Sequence, residues 1–317
     1  MELICGLHNV RPEHRGCAVT IGNFDGVHRG HQAVLAHLAG RARGLGVPTL
    51  VLLFEPQPAE YFQPAAAPAR LMRLREKIES LRAQPVDRVL CLRFNAALAQ
   101  REPERFIDAV LVRALGAKYV VVGDDFRFGR GRRGDMAMLR AGGARHGFEV
   151  ASMPTFEFDG GRVSSTRVRQ ALARADFVEA ETLLGRAYRM SGRIVHGDRI
   201  GRRIGIPTAN IKLHRRRIPL GGIFVVEVEG LAPAPLPAVA SIGTRPTVGG
   251  TEPLLEVHVL DYEREVYGER ITVIFRCKLR DEQRFESVDD MARQIRADIG
   301  AARAYFQARP PACSPPP

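Results

Sequence analysis

Residues 18–21 (AVTI) form a short apolar run that ends at Gly22 and Asn23. Val34, Leu35, Leu38, Ala42 and Leu45 then recur at the spacing of one helix face, and TLVLLF at 49–54 is a continuous apolar run closed by Pro56 and Pro58. A run with no polar alternation marks a strand buried on both faces, as parallel strands are. The cycle repeats with helical spacing over 71–81, a strand over 86–92, a helix over 103–115 with proline in its first turn, and the strand KYVVVG at 118–123. Strands alternating with helices predict a doubly wound, Rossmann-like α/β sheet. Ligands of such sheets sit beyond the carboxyl ends of the strands, so the loops after Ile21, Phe54 and Val122 are the ones to inspect.

After about residue 185 the pattern changes. Helical periodicity gives way to short segments punctuated by glycine and proline: GIFVVEVEG at 222–230, PAVASIG at 237–243, LLEVHVLDY at 254–262 and ITVIF at 271–275. These predict antiparallel strands at the spacing of a Greek-key-like β-barrel. A final helix is expected from Ser287, three residues before Asp290, with Met291, Ile295, Ile299, Ala302 and Phe306 on one face. The expected division is therefore 1–185, 186–308 and a disordered tail at 309–317.

A length of 317 residues fits two such units, and 45% hydrophobic with 26% charged residues excludes whole-chain disorder. The formal net charge of +12 invites a polyanionic partner, yet lysine accounts for only Lys77, Lys118, Lys212 and Lys278 among 47 basic residues. No aromatic interleaving of the kind that stacks bases accompanies runs such as Arg215, Arg216 and Arg217. Five widely spaced cysteines without a CxxC suggest neither a disulfide framework nor a zinc site. With no apolar run near the ~20 residues of a spanning helix and no basic, apolar leader at MELICGLHNV, cytoplasmic residence is the expectation.

The segment GNFDGVHRGH at 22–31 joins the first strand to the first long helix and sets His28 and His31 at i and i+3, so both imidazoles can face one ligand. Gly22, Gly26 and Gly30 permit close backbone approach, and the free N–H groups of a helix start favour phosphate. The later GRGRRG at 129–134 matches a dinucleotide fingerprint but follows the wrong strand, and no P-loop is present. GNFDGVHRGH resembles the HxGH motif of nucleotidylyltransferases in the form found in bacterial FMN adenylyltransferases. FEPQP at 54–58, GDDFRFGRGRRGD at 123–135 and SSTRVRQAL at 164–172 follow in that family's order.

That resemblance implies a catalytic role for His28 and His31. It implies nucleotide contacts from Gly22, Asn23, Phe24, Asp25, Gly30, Asp125, Ser164, Ser165 and Thr166, with Arg169 as a charged clamp. Position 125 is Asp where some members carry Asn. Flavin contacts are expected from Phe54, Pro56 and Phe126.

In the second half, GDRIGRRIGIPTANI at 197–211 resembles the riboflavin kinase signature, and SIGTRPTV, LLEVHVLDY, YGERITVIF and LRDEQRF fall where that family has its matching blocks. Thr208 and Asn210 would then help hold Mg²⁺ and the ATP phosphates, Gly205 would contact nucleotide, and Arg280 would contact flavin. Glu256 alternates with Leu255 and Val257, and a carboxylate on an otherwise apolar strand is costly unless paired or used; it is the expected base, with His258 on its face. Arg245 stands where relatives often carry Asn.

Both halves together resemble the bifunctional prokaryotic FAD synthetases. The resemblance implies riboflavin, FMN and ATP as substrates, with no nucleic-acid or membrane partner. The alternatives are an HxGH transferase with another acceptor, or a basic nucleic-acid-binding protein.

Overall fold

A computed structural model of the chain describes residues 1–158, 160–196, 205–247 and 250–308, with the backbone alone over 244–247 and 250–252. The loop at 197–204, the side chain of Arg245 and the tail expected at 309–317 lie outside the described residues. Contacts divide the chain into two compact units: Met1–Pro68 with Met72–Arg167, and Ala69–Leu71 with the chain from Val168 onward.

The first unit contains six parallel strands, β1 (Glu2–Cys5), β2 (Ala18–Ile21), β3 (Thr49–Glu55), β4 (Arg88–Arg93), β5 (Tyr119–Gly123) and β6 (Glu149–Met153), in the order β1-β4-β3-β2-β5-β6. Between them run α1 (Arg29–Leu45), α2 (Pro58–Phe62), α3 (Leu74–Arg82), α4 (Ala96–Ala99), α5 (Pro103–Phe106) and α6 (Met136–His146). The turns after α5 widen to π-helical over Ile107–Ala114.

Alternation along each strand sorts the core into two layers. Val19, Ile21, Leu50, Leu52, Leu90, Leu92, Val120 and Val122 pack with Phe106, Val110, Leu111 and Leu139 on one face. Val51, Leu53 and Val89 pack with Leu35, Ile78 and Leu81 on the other, where Ala18 and Val121 meet Leu38 and Ala42. From β2 the chain steps to β3 and then outward, whereas β5 and β6 lie on the opposite side of β2. The order therefore reverses between β2 and β5, and the crevice beyond their carboxyl ends is the switch point at which such folds bind ligands.

Strands β1 and β6 are absent from the sequence expectation because they are edge strands. Only Ile4 of β1 is buried, and β6 is half-buried, so neither has a continuous apolar run. A small ribbon of β7 (Glu157–Phe158) and β8 (Gly161–Arg162) precedes α7 (Ser165–Ala173) and α8 (Phe177–Leu184).

The second unit holds a closed antiparallel barrel of β9 (Arg189–Val195), β10 (Ala209–Lys212), β11 (Gly222–Glu229), β12 (Leu236–Thr247), β13 (Gly250–Val259) and β14 (Arg270–Arg280), ordered β10-β13-β12-β11-β14-β9. Strands β14, β11, β12 and β13 are neighbours in that order, a Greek key. Two more strands take part than the sequence predicts. β9 is interrupted by Ser191, Gly192 and Arg193, and β10 is four residues long directly after a proline turn, so neither displays an apolar period.

Ile211, Phe224, Val226, Ala238, Ala240, Leu255, Val257, Val273 and Phe275 are buried and alternate into the interior. Ile223, Val225 and Val239 face outward, against Ile299, Ala302, Tyr305 and Phe306 of the terminal helix α9 (Val288–Ala308). The Asp290 N–H donates to Ser287 Oγ at 3.1 Å, the cap expected from the sequence. Phe177 of α8 sets its ring 5.9 Å from Phe224 and 6.2 Å from Phe275.

Candidate active sites

The loop from β2 to α1 is wound tightly. Phe24 and Val27 adopt φ of 47° and 43°, with Gly26 at 91° between them. A left-handed conformation in a β-branched residue costs on the order of 1–3 kcal/mol and persists only where the surroundings impose it. Here Phe24 is 3% and Val27 0% exposed, so apolar burial imposes it.

The loop delivers His28 as the N-cap of α1. The His31 N–H donates to His28 Nδ1 at 3.3 Å. Because Nδ1 accepts, the neutral ring carries its proton on Nε2 and offers a donor from that atom. The two imidazoles stack with centroids 3.6 Å apart and planes at 18°, and Phe24 lies 4.8 Å from His31. Gly30 leaves room beneath them, since a Cβ there would stand 3.2 Å from His28 Nδ1 and 3.4 Å from the Val163 carbonyl, tighter than most such contacts.

These rings line a cavity of about 540 Å³ at the switch point. Its walls are the ends of β2 (Thr20, Ile21), β5 (Gly123) and β6 (Met153), and the amino termini of α1 and α7. Ser164 caps α7 by accepting the Arg167 N–H at 3.2 Å. Two helices thus direct their positive dipole ends and free N–H groups at one space. Ser165 Oγ donates to the Asp25 carbonyl at 2.8 Å, tying the loop before α1 to the start of α7, and the buried Asp25 carboxylate accepts the Met72 N–H at 3.0 Å, anchoring that loop to the segment before α3. Asp125 pairs with Arg162 at 2.8 Å, and Thr155 donates to Asp124 at 3.5 Å.

On the barrel, Asn210 of β10 stands directly opposite Glu256 of β13, which in turn stands opposite Ser241 of β12. Cross-strand partners share a face, and this row lies on the outside of the barrel. Asn210 is buried and Glu256 half-buried. Thr208 precedes β10 by one residue. A separate space of about 500 Å³ is lined by Arg216, Arg217, Ile242, Gly243, Pro253 and Glu282 among others, further along β12 and β13 from the Ser241–Glu256 pair.

Comparison with known proteins places both units. A family model for FAD synthetase matches residues 10–167, and one for riboflavin kinase matches 184–306. The bifunctional riboflavin kinase/FMN adenylyltransferase of Pseudomonas fluorescens is 53% identical over 305 residues, covering 96% of this chain and 97% of that protein. The chain belongs to the bifunctional riboflavin kinase/FMN adenylyltransferase family. The family's member from Escherichia coli K12 is 50% identical over 313 residues, covering 98% of this chain and all of its own. A solved chain described as a macrolide-efflux protein from Streptococcus pneumoniae superposes with a TM-score of 0.79 at 31% identity, covering 96% of this chain and 99% of that one. Among the described residues of this family member, no helix is long and apolar enough to cross a membrane.

Within the family framework the predicted residues separate into those the fold gathers and those it does not. Gly22, Phe24, His28, Gly30, His31, Asp125, Phe126, Ser164, Ser165 and Thr166 all line the first cavity. Asn23 is exposed and, like Asp25, is not among the lining residues. Arg169 belongs to the second unit, where its Nε donates to the Ala69 carbonyl at 2.6 Å. Phe54 packs against the first core and edge-on to Phe94, 5.8 Å away. Pro56 follows it and is half-buried.

Thr208, Asn210 and Glu256 are brought together, and Gly205 opens the described part of the turn before them. The Arg280 guanidinium grips the buried Asp298 of α9 through contacts of 2.8, 3.0 and 3.3 Å. Sequence reasoning missed Asp124, Thr155 and Arg162 as cavity residues. Arg162 stands two residues before Ser164 in a motif-bearing block, but the ribbon that aims it has no apolar pattern to read.

Proposed function

We propose that the chain makes FAD in two steps: the barrel site phosphorylates riboflavin with ATP, giving FMN and ADP, and the first cavity joins FMN to ATP, giving FAD and pyrophosphate. The observation that carries the reading is the stacked His28–His31 pair facing two helix amino termini at the switch point, in a chain matched along nearly its whole length by bifunctional relatives. We assign adenylyl transfer to residues 1–185 and phosphorylation to 186–308.

In adenylyl transfer the FMN phosphate attacks the α-phosphorus and negative charge gathers on the surrounding oxygens. No enzyme nucleophile is needed. His28 Nε2–H, His31 and the N–H groups of α1 and α7 are donors preorganised toward that charge, each worth roughly 10²–10³ in rate. Ser164 and Thr166 add hydroxyls on the far wall, and Phe126 offers an aromatic face to the flavin. In phosphorylation Glu256 accepts the proton of the riboflavin 5′-hydroxyl as that oxygen attacks the γ-phosphorus.

Among the described residues there is no cluster of three or more His, Cys, Asp or Glu able to hold a metal. The neutral oxygens of Thr208 and Asn210 beside one carboxylate suit Mg²⁺, which takes few protein ligands and shares the nucleotide phosphates. When bound there it neutralises phosphate charge; Thr208 and Asn210 would hold it. We place the enzyme in the cytoplasm, in keeping with four described cysteines that form no disulfide.

The test is incubation with riboflavin, ATP and Mg²⁺ followed by chromatographic separation of the flavins. FMN should appear first and FAD after it. Formation of neither, or pyrophosphate exchange supported only by another acceptor, would overturn the reading.

A further inference from the structure

Pro207 is exposed, and its ring removes one main-chain donor from the turn that carries Thr208. The carbonyl of that proline is nevertheless held: it lies 2.8 Å from His258 Nδ1. A carbonyl only accepts, so Nδ1 carries the proton and donates. His258 stands two residues beyond Glu256 on β13 and shares its face. The ladder pairs Ala209 with Val257 and Asn210 with Glu256. Extended by one residue, the same register sets Thr208 opposite His258. Thr208 is thereby fixed from both sides, by the ladder after it and by the imidazole bond on the residue before it.

We propose that His258 is a positioning residue of the phosphorylation site. By clamping the Pro207 carbonyl to the strand that carries Glu256, it sets where the Thr208 hydroxyl stands relative to that carboxylate. Nucleotide phosphates gripped by the turn are then held in line with the base. The inference rests on the kinase reading of the barrel. It assigns His258 no proton transfer, since its Nδ1 proton is engaged by main chain.

Three variants of the full chain test it. Asparagine presents its amide N–H near the place of imidazole Nδ1, and glutamine presents one near the place of Nε2. His258→Ala is expected to lower kinase kcat/KM for ATP by about 10–100-fold, the usual effect of losing a group that orients a ligand-holding residue. Most of the loss should fall in KM for ATP, with KM for riboflavin unchanged. His258→Asn should recover most of it and His258→Gln little. An unchanged KM for riboflavin and a wild-type melting curve report that the barrel of each variant is folded.

A second readout avoids turnover. ADP binding measured by calorimetry should be tightened by Mg²⁺ over EDTA in wild type and in His258→Asn, and much less in His258→Ala. Wild-type KM for ATP and Mg²⁺-tightened ADP binding in His258→Ala would overturn the assignment. If the alanine variant does not fold, asparagine and glutamine behaving alike would overturn it. Wild type that phosphorylates no riboflavin and binds ADP equally with and without Mg²⁺ would overturn the kinase reading, and the positioning role with it.

Discussion

In the first unit the candidate chemistry stands at the ends of strands, on loops and helix starts drawn from residues 20–31, 123–126, 153–157 and 162–166. In the second it stands on the faces of strands, as the row Asn210–Glu256–Ser241 held by register. A parallel sheet gathers distant loops at one edge, so its site residues answer to loop conformation and need little from strand composition. On a barrel face the groups carried by strands must interrupt an apolar run and answer to the pairing of their neighbours, with only the turn through Thr208 adding to them.

The sharpest way to break this contrast is at the base. Glu256→Gln should lower riboflavin phosphorylation by roughly 10²–10⁴-fold while supplied FMN is still converted to FAD, read by flavin chromatography. Next in size, His31→Ala should cut FAD formation by roughly 10²–10³-fold and let FMN accumulate from riboflavin. If both variants lose the same step, the division between the units is wrong.

A packing lesion comes third. A Cβ on Gly192 of β9 would overlap Ile211 of β10, so Gly192→Ala should destabilise the barrel by about 1–3 kcal/mol. Kinase activity should fail at a lower temperature than adenylyl transfer, measured by residual activities after graded heating.

The smallest effect concerns acid. Hydrogen bonds from Arg303, 2.7 and 2.9 Å, hold the Asp261 carboxyl below its ordinary range. A depressed folded-state value stabilises above the unfolded value and is lost as pH falls through the folded one, so the contribution fades below about pH 4. Asp261→Asn should remove a small, salt-sensitive increment of thermal stability at pH 7 that shrinks as the pH is lowered below about 4, read by melting curves.

The same contrast explains what could be read in the chain beforehand. Gly22, Gly26, Gly30, His28 and His31 lie within ten residues, and their conformational and chemical demands are printed side by side. The continuous run at 49–54 likewise announced a buried parallel strand. By contrast, β9 and β10 were invisible because barrel closure needs only a few inward side chains from each. Arg162 and Thr155 lie beyond such reading because their positions depend on a two-residue ribbon and on β6, an edge strand, whereas Asp124 directly follows β5 in a loop the strand pattern does mark. The pairing of Arg280 with Asp298, 18 positions away on a different element, is likewise not written in the local sequence. Nothing local foretells such a choice.

The alternation that places Asn210 and Glu256 outside the barrel and Ile211 and Leu255 inside it also governs how the gene can change length. One codon inserted within β10 or β13 would turn every following side chain of that strand over, sending a carboxylate or amide inward and an aliphatic group outward. Extra codons between Val259 and Arg270, in the connection from β13 to β14, leave those orientations untouched and add little closure entropy. Added length is therefore borne more easily by the turns of the second unit than by β10 or β13.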